Sequence, residues 1–232
     1  MRVVLVHGSV ANGPMTWPSL EPLRERFDVV LPSRGGYPPG PPLDHIDFET
    51  QAEELTPLLE EGAHLVGHSY GGVISLLIAA RHPERVRSLT VSEPPAFGVA
   101  RGRPEVERLL AELMVFFAAG PYEPSAYLHG FLALVGSDIR LPEPLPPDLE
   151  QGARAAMAER SPHEAEIPLG ELAATPFPKL VISGGHHPAF DAVCNVLEER
   201  LGAERAVVVG AGHSIPRAQA YNERLIEFLE RA

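Results

Sequence analysis

The chain has 232 residues, 44% apolar and 22% charged, as in a globular protein with room for one large domain or two small ones. Lys and Arg number 19 against 31 Asp and Glu, and the net charge of −12 argues against nucleic acid or an anionic membrane as partner, since either needs a basic face. The single cysteine, Cys194, excludes an internal disulfide framework and a cysteine-built zinc ribbon.

Arg2–Val6 is a β-branched run that reads as a strand ending at His7-Gly8. It is too short and strand-like for a signal peptide, and the apolar run Val73–Ala80 falls far short of the roughly 18 residues of a membrane span, so a soluble, cytoplasmic protein is expected. Leu20, Leu23 and Phe27 predict a helix over Trp17–Arg26, followed by a strand at Asp28–Leu31. The Pro- and Gly-rich stretch Pro32–Pro42 predicts a loop. Ala52, Leu55 and Leu59 mark a helix over Phe48–Glu60, and then come a strand at Ala63–Val66, a helix at Val73–Arg81 and a strand at Val86–Val91.

After Glu93-Pro94-Pro95 the alternation breaks, with helical patterns at Val106–Ala119 and Glu150–Arg160 and no convincing strand up to Pro176. It resumes with a strand at Lys179–Ser183, a helix near Phe190–Leu201, a strand at Ala206–Val209 and a helix at Ala218–Arg231. Strand–helix alternation of this kind predicts an α/β fold, a parallel sheet of about six strands with helices on both faces. The expected division is a core of residues 1–96 and 177–232 with a helical insertion at 97–176.

The chemistry concentrates at strand ends. Gly67-His68-Ser69-Tyr70-Gly71 is a G-x-S-x-G sequence between a strand and a helix, the setting in which a sharp turn lifts a serine oxygen clear of the sheet. His213 follows the last strand in Gly210-Ala211-Gly212-His213, small residues that let an imidazole reach across as base for Ser69. The N–H of Tyr70 and one from the His7-Gly8-Ser9 loop, Ser9 before Val10, are candidate oxyanion donors. His45, His64, His82, His129 and His163 are expected to be ordinary surface or capping residues, and Cys194 a small core residue. Adjacent His186 and His187 lack metal-ligand spacing, so no metal and no cofactor is expected.

His-Gly after the first strand, Gly-His-Ser-Tyr-Gly-Gly, Arg-His-Pro-Glu-Arg-Val and the late Gly-Ala-Gly-His resemble the α/β-hydrolase superfamily over Arg2–Pro95 and Pro178–Arg231. The resemblance implies an eight-stranded sheet with a helical cap, here lacking the N-terminal edge hairpin because the chain starts at the third strand of that plan. It also implies a serine nucleophile, Ser69, where the dehalogenase and epoxide-hydrolase branches carry aspartate. The superfamily usually places its acid after the seventh strand, in a Gly-x-x-Asp turn, and here that turn reads Gly184-Gly185-His186-His187. Glu93, at a strand's carboxyl end, is the expected acid instead, with Asp191 the alternative and a dyad without an acid also open.

The function expected is a serine hydrolase of carboxylesterase type, acting on a small apolar ester through an acyl-enzyme, its partner a small-molecule substrate. A cofactor-free lyase or peroxidase on the same scaffold, or a non-catalytic ligand-binding relative, are the alternatives. Val115, Phe116, Phe117, Phe131 and Leu132 are expected to wall the site from the cap, and Trp17 and Tyr37 either line the pocket or pack loops. Substrate-binding residues and oligomeric state are not legible in the residue pattern.

Overall fold

The computed structural model describes residues 1–60, 62–120 and 123–232. Its strands are β1 (Arg2–Val6), β2 (Asp28–Val30), β3 (Ala63–His68), β4 (Val86–Ser92), β5 (Lys179–Ser183) and β6 (Glu204–Val207). All pair in parallel, in the order β2-β1-β3-β4-β5-β6. The register sets Val6 beside Gly67, His68 beside Ser92, and Ser92 beside Ile182, so the carboxyl ends of the central strands finish side by side. Crossovers over both faces bury the strands on both sides, which is why they read as continuous apolar runs. Val4, Val6, Leu65 and Val91 pack with Ile74, Leu77 and Val193 on one face, while Val3, Leu5, Val66 and Ile182 pack with Leu23 and Phe228 on the other.

The helices are α1 (Gly13–Thr16), α2 (Glu21–Arg24), α3 (Phe48–Leu55), α4 (Tyr70–Arg81), α5 (Pro104–Ala119), α6 (Pro124–Leu134), α7 (Pro147–Ala158), α8 (Leu169–Ala174), α9 (Pro188–Leu201) and α10 (Gln219–Arg231). Of the helix expected over Trp17–Arg26 only α2 is α-helical, and α1 precedes that stretch. Asn12 caps α1 by accepting the Met15 N–H at 3.1 Å, and Pro18 keeps Trp17 out of the helical region, so the chain restarts at α2. The helix expected over Phe48–Glu60 stops at Leu55 and tightens to a 3₁₀ turn over Thr56–Leu59, because Pro57 has no N–H to continue it. The strand expected at Ala206–Val209 begins two residues earlier, directly after the left-handed Gly202 that ends α9, and leaves Val209 86% exposed.

Between β4 and β5 no strand occurs among the described residues. The expected helices are present as α5 and α7, and α6 and α8 are additions. α5, α6 and α7 each open on proline, whose missing N–H costs nothing in a first turn.

Candidate active site

Parallel pairing and local strain together build the site. The β3–β4 ladder extends one bond past β3, Ser69 N–H to Ser92 C=O at 2.9 Å, and the β4–β5 ladder one bond past β4, Glu93 N–H to Ile182 C=O at 3.0 Å. Both residues then turn into the left-handed region, Ser69 at φ 53° and Glu93 at φ 43°, where non-glycine residues are strained. Strain of this kind persists only where the surroundings over-determine it. Around Ser69 they do, since any side chain on Gly71 would drive into the Val6 and His7 carbonyls. A Cβ on Gly8 would stand 2.8 Å from Ser69 Cβ, so the loop after β1 also closes on the serine.

His213 stands between the two strained residues. Its Nε2 accepts from Ser69 Oγ at 3.0 Å, and its Nδ1–H donates to Glu93 Oε2 at 2.7 Å. Glu93 is fully buried and its second oxygen accepts the Gly184 N–H at 2.7 Å. Burial alone would raise the Glu93 carboxyl, but the hydrogen-bonding groups of His186, His213 and Gly184 outweigh it and bring its pKa down to about 2. The ring of Phe190 packs on His213 with centroids 4.6 Å apart. His68 donates Nε2–H to the His213 carbonyl at 2.8 Å, and burial keeps it neutral with a pKa of about 3. Asp191, the alternative acid, is drawn elsewhere and bonds Ser183 Oγ and the Arg205 guanidinium at 3.3 Å.

On the other side of Ser69, the His7–Ala11 loop is pinned by a second buried carboxylate. Glu159, just past α7, accepts from Ser9 Oγ, from the Tyr37 hydroxyl at 2.8 Å, and from the fully buried Arg34 guanidinium. Burial pushes the Glu159 carboxyl up, and Arg34 opposes that rise. Val10, at φ 72°, spends its N–H on the Tyr37 hydroxyl at 3.3 Å, which removes it as the second oxyanion donor. The N–H groups of Ser9 and Tyr70 have no acceptor among the described residues. His7 is neutral at a pKa of about 3 through burial, with Nε2 accepting the Arg34 N–H at 3.0 Å and Nδ1–H on the Gly8 carbonyl.

Two cavities meet at Ser69 and Ser9. The larger, about 330 Å³, is lined largely by Phe97, Leu113, Phe116, Phe131, Val135 and Phe190, with Tyr70 and Glu159 as its polar edge. The smaller, about 120 Å³, includes His213, Ser137 and Ser214. Phe116, Phe117 and Phe131 thus face the larger cavity and Leu132 the smaller, whereas Val115 is 69% exposed and walls neither. Trp17 lies in the core and Tyr37 in the Glu159 network. His64 is fully buried against Ser88 Oγ at 2.7 Å and is not the surface or capping residue expected, while His163 is half-buried at the edge of the larger cavity, bonded to Ser161 Oγ at 2.6 Å. Cys194 is buried in α9, its thiol pushed up to about 12 by burial.

Glu159 and Arg34 escape sequence reasoning, and His186 enters it only as a rejected metal ligand. Glu159 and Arg34 are 125 positions apart, and a lone acid at a helix end looks like any solvated one. The donor atoms of Glu93, His186 and His213 fall within 4.8 Å of one another, the one such acid–histidine cluster among the described residues. Glu93 and His213 already spend their facing atoms on each other, on Ser69 and on Gly184, an arrangement suited to proton exchange between Ser69 and His213 beside a fixed anion.

The family model described as alpha/beta hydrolase fold matches residues 2–126, just over half of the chain. A pimeloyl-[acyl-carrier protein] methyl ester esterase of Aeromonas hydrophila subsp. hydrophila is 36% identical over 99 residues, 41% of this chain and 39% of the relative. A protein of Pseudomonas putida, the dihydrolipoyllysine-residue acetyltransferase component of an acetoin cleaving system, is 28% identical over 99% of this chain and 63% of its own length. The chain thus spans less than two thirds of each of these relatives. Among solved structures, a carboxylesterase of Bacillus subtilis superposes with a TM-score of 0.67 at 20% identity, over 98% of this chain and 83% of that one.

Proposed function

The chain belongs to the α/β-hydrolase family, and from that premise we propose that it is a carboxylic ester hydrolase working through an acyl-enzyme on Ser69. One observation carries the reading, the unbroken hydrogen-bond line from Ser69 Oγ through His213 to the buried Glu93, at 3.0 and 2.7 Å, at the meeting point of two cavities. The esterase name of the Aeromonas relative agrees with it.

In this reading Ser69 Oγ attacks the ester carbon while its proton passes to His213 Nε2. Glu93 holds the tautomer in which Nε2 is free to accept, and its charge stabilises the imidazolium that forms. The oxyanion rests on the N–H groups of Ser9 and Tyr70, the latter aided by the positive end of α4. His213 then returns the proton to the leaving alcohol, which restores it as a base. It next deprotonates a water that attacks the acyl-enzyme, and the acid departs as Ser69 regains its proton.

Residues 97–176 serve as a helical cap in this proposal, with core residues 1–96 and 177–232 beneath it. The aromatic lining of the larger cavity suits an apolar acyl group. Ser69→Ala tests the whole reading. Turnover of short p-nitrophenyl esters should fall to the roughly 10³–10⁴-fold acceleration over water that oxyanion donors and binding supply alone, and labelling by a fluorophosphonate should vanish. A variant that keeps parental activity would sink the proposal.

A further inference from the structure

Glu93 has a neighbour outside the Ser69–His213–Glu93 line. His186, in the loop after β5, presents both ring nitrogens to acceptors. Nε2 lies 3.1 Å from the Val135 carbonyl just past α6. Nδ1 lies 3.3 Å from Glu93 Oε1, off the line of a full hydrogen bond and with no other partner among the described residues. A carbonyl oxygen only accepts, so Nε2 carries a hydrogen. An ionised carboxylate also only accepts, so a bare lone pair on Nδ1 would face it in a largely buried place, at the cost of an unmet polar group. The ring satisfies both neighbours only as an imidazolium.

The surroundings favour that form. Burial lowers the proton affinity of His186, but the Glu93 carboxylate and the Val135 carbonyl outweigh it and the net shift is upward. The ring stacks on Phe190 at 6.4 Å and 22°, and a Cβ on Gly136 would collide with its other edge, so its orientation is fixed. Glu93 faces it from the end of β4, His213 from the loop after β6 at 6.3 Å, and His187 and Asp191 from its own loop and α9. The turn after α6 faces it with the Val135 carbonyl. His186 lines neither cavity, so it can act only through these neighbours.

We propose that His186 is a positioning residue for the ester hydrolysis: as an imidazolium beside Oε1 it orients Glu93 so that Oε2 faces His213, and its charge opposes a second one on the His213 ring. The inference rests on the hydrolase reading above. With His186 charged, a second positive charge on His213 is opposed across 6.3 Å between ring centroids. In the superfamily pattern this loop supplies the acid. Here, with the acid on β4, it supplies a cation that holds the acid.

Two measurements decide it. In ¹⁵N-histidine-labelled parent protein, the His186 ring nitrogens should report a predominantly doubly protonated ring at pH 6.5. In kcat/KM against pH for a p-nitrophenyl ester, His186→Gln and His186→Phe should both move the acid limb upward by about half to one unit, with KM little changed. The glutamine variant, which keeps a donor, should retain more of kcat than the phenylalanine one. A neutral ring in an active parent, or an unmoved acid limb in both variants, overturns the role of His186. A parent that hydrolyses no ester overturns the hydrolase reading instead, a result the ring measurement does not share.

Discussion

Two carboxylates lie buried on opposite sides of Ser69, and their partners differ in kind. Glu93 is held by two imidazoles and an N–H, Glu159 by a guanidinium and two hydroxyls. Imidazoles exchange protons near neutral pH, whereas a guanidinium stays charged at any pH the protein meets. The Glu93 side is therefore equipped to move protons, and the Glu159 side to hold a loop in place. Both carboxylates bridge distant segments, but only one has partners whose charge changes during a reaction of the kind proposed.

The comparison breaks most sharply at Glu93. Glu93→Gln keeps the shape but loses the charge and the tautomer control, and kcat should fall roughly 10³–10⁴-fold with the fold retained. A loss below tenfold would mean that the two sides are not functionally distinct. Glu159→Leu should do the reverse. It strands the buried Arg34 charge, at a cost of about 3 kcal/mol or more, read as a Tm lower by roughly 6–12 °C. Its effect on kcat should be the smaller of the two, as expected if Glu159 merely steadies the Ser9 loop. A Glu159→Leu protein as stable as the parent would refute the assigned role of the ion pair.

A smaller effect comes from three buried neutral histidines, His7 and His68 near the two sides and His64 near the start of β3. Folded His7 and His68 hold pKa values of about 3, and His64 about 4, all lowered by burial. Unfolded histidines titrate near 6.5, so their contribution to stability is complete above about pH 6.5 and is lost as pH falls toward those folded values. Glu93 acts in a lower window, because its depressed pKa makes stability fall as pH drops from the ordinary carboxylate range through about 2. The urea midpoint should thus decline from pH 7 to pH 5, and His64→Asn should flatten that decline without touching esterase activity. An unchanged slope in that variant would contradict the assignment.

Element order and residue chemistry are local properties, and the amino-acid sequence determines them by itself. Val3–Val6 and Leu65–Val66 are short apolar runs that parallel strands demand, and Gly67-His68-Ser69-Tyr70-Gly71 carries its own turn. Chain order points to His213, and the His187 at the usual acid position directs attention to Glu93 and Asp191. Sequence favours Glu93, at a strand's carboxyl end, over Asp191, without placing either side chain beside His213. Ladder register brings the strained Glu93 to His213, while Asp191 turns to Arg205. The Arg34–Glu159 pair and the Val135–His186–Glu93 contact link positions far apart in the chain, joined by how α6 and α7 rest on the sheet. Hydrophobic periodicity reports which face a helix buries and says nothing of which distant side chain it will meet there, so partners of this kind exist only once the tertiary structure has formed.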